Sequence, residues 1–119
     1  MKKLEQKEKR RAPRYSVDLP LEYRMGGKSS LHGALTVNMS VLGLLIISLK
    51  DMPVGTNLKI GVLFPKGFQL ANFEAIGEIV WKDPFWDGDW RGYQYGIRFL
   101  RMRERDQWEL KPLLRGHFR

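Results

Sequence analysis

The feature that most restricts the fold of this chain is a series of short apolar segments, most of which alternate with polar residues. Period-two alternation places the apolar side chains on one face of an extended strand and so is typical of a half-buried β-strand. Clusters of Gly, Pro, Asn and Ser, the usual turn residues, separate the segments. The pattern predicts six strands, over Val17–Tyr23, Leu31–Val37, Leu44–Leu49, Leu58–Phe64, Gln69–Trp81 and Tyr93–Phe99.

Six short strands joined by tight turns favour a small antiparallel β-barrel, because closure removes the free strand edges. After Arg103 the spacing of apolar residues becomes helical and predicts a helix over about Glu104–Leu110 that could extend to Arg115. The expected fold class is therefore all-β with a C-terminal helix. This helix would cover one open end of the barrel or pair with a second copy.

The tryptophans of the chain need separate consideration, because the strand pattern alone does not place all of them. Lys82–Gly92 is predicted to be a polar, aromatic-rich loop, in which Trp86 and Trp90 either form an exposed partner surface or pack back onto the barrel. Trp81 follows the inward parity of Phe73, Ala75, Gly77 and Ile79, so a place in the core is its expected role.

Positive charge is concentrated at the two ends of the chain. Residues 1–14 hold seven Lys/Arg against two Glu, residues 15–97 hold seven against eight acidic residues, and residues 98–119 hold seven against three. Such basic ends suggest an anionic partner, although they also serve solubility. We expect a flexible basic arm over residues 1–14 and a folded domain over residues 15–119.

Composition argues against an enzyme. The chain has no Cys, so it has no thiolate nucleophile. It has only two His, His32 and His117, and their spacing from Ser and Asp residues does not indicate a Ser/His/Asp triad. No metal site and no cofactor are expected. The absence of Cys fits a cytoplasmic protein, and the longest apolar run, Val41–Ile47, is too short to cross a bilayer.

Two short polar motifs flank the first two predicted strands. Arg10, Arg11 and Arg14 precede the first strand, and Pro13 favours an extended clasp there rather than a helix. The turn after the second strand has the pattern Asn-x-Ser-x-x-Gly, formed by Asn38, Ser40 and Gly43.

With these motifs the chain resembles the PilZ domain family. That family carries Arg-x-x-x-Arg before its first strand, matched by Arg10 and Arg14, and Asp/Asn-x-Ser-x-x-Gly after its second. The segments Gly77–Trp81 and Tyr95–Phe99 also resemble the family's last two strands. The resemblance covers roughly residues 9–110. It implies a six-stranded barrel with a C-terminal helix that binds the bacterial second messenger cyclic di-GMP, around which the arm would wrap.

The chemistry of these residues suits such a ligand. Arginine pairs with phosphate and reads the O6/N7 edge of guanine bidentately. Asn38 and Ser40 could meet the ligand or hold the turn, whereas Gly43 serves the backbone through positive φ or close approach. Arg11 would contact a second phosphate or remain solvated, and Trp81 is a further candidate contact because an aromatic at this place lies against guanine in some relatives.

Other functions stay open at this point. A basic barrel with aromatic residues could bind single-stranded nucleic acid, but its aromatics alternate as a core would, which makes this the less favoured choice. The domain could also be an adaptor that has lost its ligand. A downstream protein partner controlling motility, exopolysaccharide or biofilm formation is expected, with no membrane insertion and either a monomeric or a homodimeric state.

Overall fold

Six antiparallel strands and one helix form the described part of the chain, which in a computed structural model comprises residues 14–28, 30–66 and 69–117. The strands close a barrel in the order β1-β2-β3-β6-β5-β4. The predicted fold class, a six-stranded antiparallel barrel with a C-terminal helix, is confirmed. The elements are β1 (Tyr15–Met25), β2 (His32–Met39), β3 (Gly43–Ser48), β4 (Asn57–Lys66), β5 (Gln69–Asp87), β6 (Trp90–Met102) and α1 (Glu104–His117).

The core consists of the inward-facing side chains of the strands together with one face of α1. Tyr23, Phe64 and Ile79 are fully buried inside the barrel. The buried helix residues are Leu110, Leu113 and Leu114. Removing this apolar surface from water is the main force that favours the closed sheet and holds the helix against it.

The start of α1 is attached to β5 through a buried carboxylate. Asp106 accepts hydrogen bonds from the backbone N–H of Glu74, at 3.3 Å, and from Nε of Arg103, at 2.8 Å. Arg103 also donates to the carbonyl oxygen of Asn72 at 3.0 Å. The negative charge lies in the first helical turn, where it interacts favourably with the helix dipole. These contacts fix the helix beside the early part of β5.

The helix is longer than predicted and contains Pro112. Proline cannot donate to the carbonyl of Trp108, four residues earlier. Both residues are on the exposed side of α1, where water can bind that carbonyl. The side chain of Trp108 is 76% exposed, although its spacing from the buried leucines is helical. Among the described residues, no helix is long and apolar enough to cross a membrane.

The segment Lys82–Gly92 is not the predicted loop. It forms the ends of β5 and β6, which pair as far as Asp87 and Trp90 around a tight turn with Gly88 at φ 61°. Pro84 is compatible with this strand because β4 pairs with β5 only as far as Glu78, so the other edge of β5 needs no donor there. A loop was predicted because the segment contains Pro84 and several polar residues, which are common in loops.

A β-bulge in β5 overturns the expected core position of Trp81. Ile79 is paired with Ile97 and Trp81 with Gly96, so Val80 is an extra residue that shifts the alternation by one. Ile79 points into the core, whereas Trp81 lies on the outer face and is 41% exposed. A strictly alternating pattern cannot reveal such an insertion.

Buried hydroxyl groups fasten the connection between β3 and β4. The hydroxyl of Tyr95 accepts a hydrogen bond from the Met52 N–H at 2.8 Å and donates to the carbonyl of Lys50 at 2.5 Å. The hydroxyls of Tyr23 and Ser48 lie 2.8 Å apart. Burial raises the pKa of Tyr95, so its hydroxyl keeps the proton that it donates.

Replacing Tyr95 by Phe should therefore lower the free energy of unfolding by about 2 kcal/mol, because the N–H of Met52 would be left buried without an acceptor. Urea unfolding measures this loss. Tyr15→Phe is the matched control, since Tyr15 also packs against the core but has no hydroxyl hydrogen bond among the described residues. Equal stability of the two variants would show that the hydroxyl of Tyr95 does not secure the connection.

Candidate functional site

A hydrogen bond joins the two sequence motifs on the outside of the barrel. Arg14 immediately precedes β1, and its Nη1 donates to Oδ1 of Asn38 at 2.8 Å. The antiparallel register explains the contact, because Ser16 in β1 lies directly opposite Asn38 in β2. One of the five guanidinium N–H donors is used in this bond, and the side chain is exposed. The arginine is thereby oriented while most of its donors remain available to an anion.

The serine of the second motif holds the turn. Ser40 is 2% exposed, and its Oγ accepts a hydrogen bond from the backbone N–H of Leu42 at 3.1 Å. Its own N–H donates to the carbonyl of Gly43 at 2.9 Å. Of the two roles left open for Ser40, these contacts support the structural one. The motif serine stabilises the backbone that follows Asn38.

Gly43 is required by a close approach of two strands and not by its φ angle. Among the described residues, the glycines with positive φ are Gly26, Gly55 and Gly88. A Cβ at Gly43 would lie 2.0 Å from the carbonyl oxygen of Ile97 in β6. Any side chain at this position would push β3 away from β6, so the glycine permits their pairing.

Trp81 lies flat against the sheet over another glycine. A Cβ at Gly96 would come within 1.9 Å of the indole Nε1, so no other residue leaves room for this ring position. One ring face covers Gly96, while the other contributes to the 41% exposure of the side chain. The result is an aromatic surface on the outside of β6 and β5.

Strand register aligns Asn38 and Trp81 on the same outer face. Asn38 is opposite Leu45, Leu45 is opposite Gly96, and Gly96 is opposite Trp81. Directly opposed residues share a face of the sheet. Three strand spacings separate the two side chains, which is roughly 14 Å across the sheet. The polar motif and the aromatic ring therefore border one continuous surface.

Arg98 is a further cation of this surface, and it lies outside both sequence motifs. It lies opposite Gly43 in the β3–β6 pair and two residues beyond Gly96 on the same face. Its Nη2 donates to Oε1 of Glu78 at 2.6 Å, and its side chain is 61% exposed. Alternation along β6 could have indicated that Arg98 points outward, but only the strand order brings it beside the motif turn.

The surface is open and is not a deep cavity. A groove of about 410 Å³ lies elsewhere, on β1, β4 and β5 near Glu22, Lys59 and Gly61. No motif residue lines it. Arg10 and Arg11, the other predicted site residues, lie outside the described residues.

Comparison with known proteins identifies the family. The family model of the PilZ domain matches residues 8–116. The chain therefore belongs to the PilZ domain family. PilZ domains are receptor or adaptor domains for cyclic di-GMP and not enzymes, which agrees with the class expected from composition. A search of curated proteins found no match.

Several solved structures share this fold. The inhibitor of motility MotI/DgrA from Bacillus subtilis has 15% identity and a TM-score of 0.73, with 91% of this chain and 51% of that chain covered. The PilZ domain of YcgR from Escherichia coli, solved with c-di-GMP, has 15% identity, a TM-score of 0.68 and coverages of 91% and 90%. PlzA from Borreliella burgdorferi, in complex with c-di-GMP, has 14% identity, a TM-score of 0.63 and coverages of 99% and 58%. The chain thus spans about half of MotI/DgrA but most of the YcgR domain.

The Gly43 contact leads to a prediction about stability. Gly43→Ala should lower the free energy of unfolding by about 1–3 kcal/mol, because the new methyl group would meet rigid backbone in β6. Gly33→Ala in β2 is the control, since a Cβ there meets nothing within 4 Å. Urea unfolding of both variants measures the difference. A Gly43→Ala chain as stable as Gly33→Ala would contradict the proposed close approach.

Proposed function

We propose that this chain is a receptor for cyclic di-GMP, which binds on the outer face between Asn38 and Trp81 and is covered by the basic arm. The observation that carries the proposal is the hydrogen bond from Arg14 to Asn38, since it links both family motifs at one place. YcgR and PlzA, which have the same fold, were solved with this ligand. The ligand has two phosphates and two guanines, and the surface offers groups that suit both.

The arginines of the first motif provide the main polar contacts in this proposal. Arg14 keeps free donors that can pair bidentately with a phosphate or with the O6/N7 edge of guanine. Arg10 is assigned the same task from the other side of the ligand, and Arg11 a contact with the second phosphate. Arginine suits this role because its charge persists at every physiological pH and its donors form a planar fork.

The second motif contributes one ligand contact and one structural device. Asn38 accepts from Arg14 through Oδ1, which leaves its amide N–H groups free to donate to the ligand. Ser40 and Gly43 hold the turn and the adjacent strand pair. Their substitution would therefore weaken binding through the position of Asn38.

Trp81 and Arg98 extend the proposed site across the sheet. The exposed face of the Trp81 indole can stack on a guanine, an interaction of about 1–3 kcal/mol per base. Arg98 adds a guanidinium between this ring and the motif turn, where it can attract a phosphate. Its bond with Glu78 keeps it directed along the sheet surface.

The proposed mechanism couples binding to ordering of the arm. Three or four charge-assisted hydrogen bonds of about 1.5–3 kcal/mol each, less the ordering cost of the arm, fit micromolar affinity. The ordered arm and ligand would create a new surface for a protein partner, whose task could be control of motility, exopolysaccharide or biofilm formation. MotI/DgrA, an inhibitor of motility with the same fold, makes the first of these outputs a natural one to test.

Removing the Arg14 guanidinium tests this function directly. Calorimetric titration at fixed salt should give micromolar binding of cyclic di-GMP to the wild-type chain and a ten- to hundred-fold weaker constant for Arg14→Ala, roughly the effect of one charge-assisted hydrogen bond. Amide exchange over residues 5–14 should also slow when the ligand is added.

Arg24→Ala is the matched control, because Arg24 is also exposed on β1 but pairs with the β4 side of the barrel. GTP and a short single-stranded RNA serve as control ligands. If the wild-type chain binds RNA and not cyclic di-GMP, the nucleic-acid function is the correct one. If it binds neither, the domain is an adaptor without a ligand.

The stacking role of Trp81 predicts a second effect on affinity. Trp81→Ala should weaken cyclic di-GMP binding by about ten-fold, and Trp81→Phe should recover part of the loss because it keeps an aromatic face. Trp86→Ala, which removes an exposed indole from the far end of β5, should leave the constant unchanged. Equal affinities of Trp81→Ala and the wild-type chain would remove Trp81 from the site.

A further inference from the structure

Beyond the barrel, β5 and β6 continue as a two-stranded extension. β4 pairs with β5 only as far as Glu78, and β3 pairs with β6 only from Tyr93 onward. We call Asp83–Arg91 the acidic ribbon, because it contains three exposed carboxylates and only one cation, the guanidinium of Arg91. The carboxylates are those of Asp83, Asp87 and Asp89.

The acidic ribbon is also rich in aromatic rings. Phe85 and Trp90 meet edge to face at 5.5 Å, and a Cβ at Gly92 would lie 2.8 Å from the Trp90 ring, so this ring rests on the glycine. Asp83 and Asp87 share the face of Phe85 and Trp90, and Trp90 is 38% exposed. Trp86 points to the opposite face, where Arg91 is paired with it. Two strands alone are marginally stable in water, so exposed tryptophan on such an extension indicates a contact surface.

A second exposed tryptophan lies on α1. Trp108 is 76% exposed, on the side of the helix opposite the buried leucines. Helical geometry puts Trp108 in the middle of a set that we call the basic helix face, with three cations and one carboxylate. The members besides Trp108 are Glu104, Arg105, Lys111, Pro112 and Arg115.

The two surfaces are complementary but cannot meet within one chain. The helix is attached to Asn72 and Glu74 near the start of β5, whereas the acidic ribbon begins at Asp83. Asp83 is nine residues further along β5 than Glu74, a distance of roughly 30 Å. A basic helix face that contacts the acidic ribbon must therefore belong to another molecule, and a second copy of this chain carries one.

We propose that two copies of this chain associate in antiparallel orientation, with the acidic ribbon of each against the basic helix face of the other. A two-fold axis would form both contacts at once and close the assembly. Trp90, on the face of Asp83 and Asp87, and Trp108 supply the apolar area, while the carboxylates and guanidiniums set the orientation. Tryptophan and arginine are the residues that most often dominate the energy of such interfaces. The acidic ribbon would be repelled by a nucleic acid or an anionic membrane, which favours a protein occupant.

Charge exchange between two variants of the full chain tests the proposal. One variant is Asp87→Lys/Asp89→Lys and the other is Arg105→Glu/Arg115→Glu, all at exposed positions. Sedimentation velocity should show concentration-dependent dimers of the wild-type chain and an association constant at least ten-fold lower for each variant alone. An equimolar mixture should recover the dimer, since each altered surface then meets its opposite charge.

Trp90→Ala and Trp108→Ala should each weaken the dimer, whereas Trp86→Ala, on the face opposite the carboxylates, and Lys59→Glu, an exposed change on β4, should not. A monomeric wild-type chain at all concentrations, variants that dimerise normally, or a mixture that stays monomeric would overturn the proposal. The inference does not rest on ligand binding, because neither surface contains Arg14, Asn38 or Trp81. Cyclic di-GMP titration of the Asp87→Lys/Asp89→Lys variant should match the wild-type chain, so the two proposals can fail separately.

Discussion

The pairing of β3 with β6 is the contact on which the rest of the structure depends. These strands are distant in sequence, yet Gly43–Ser48 pair residue by residue with Tyr93–Arg98. The pair completes the barrel and brings the outer face of β6 beside the motif turn. The backbone of Phe99 also donates to the carbonyl of Leu42 at 2.9 Å, which binds the turn to β6. Because Gly43 has no side chain, the two backbones can approach closely enough for this arrangement.

The candidate site combines fixed and exposed parts. Ser40 is buried and hydrogen-bonded, so the backbone after Asn38 is well defined. Arg14 and Arg98 are oriented by single polar partners, Asn38 and Glu78, but stay in contact with water. Exposed pairs of this kind add little to folding stability, since water screens their charges. Their contribution would come with an anionic ligand, when a second segment excludes water from the surface.

Alternation in the sequence was a reliable guide wherever the ladder is regular. Together with the continuous apolar run of Leu44–Leu49, it located all six strands, and it located the inward side chains of β5 as far as Ile79. It failed at Val80, where one inserted residue turned Trp81 from the core to the surface. It also failed at Lys82–Gly92, because a strand that leaves the barrel has no buried face and shows no apolar alternation. The exposure of Trp108 could not be read from the sequence for a related reason, since helical spacing alone does not show how wide the buried stripe is.

Arg14, Asn38, Ser40 and Gly43 stood out in the sequence because short polar motifs and glycine are conspicuous beside apolar strands. The sequence by itself thus determined the number of strands, the type of barrel and the motif residues, since local backbone preference and side-chain alternation are written along the chain. Tertiary structure alone decided which strands are neighbours, and so it alone aligned Asn38 with Trp81 and brought Arg98 beside Gly43. The physical reason is that strand order and bulges follow from the closure of the whole barrel, where distant backbones must satisfy each other's hydrogen bonds.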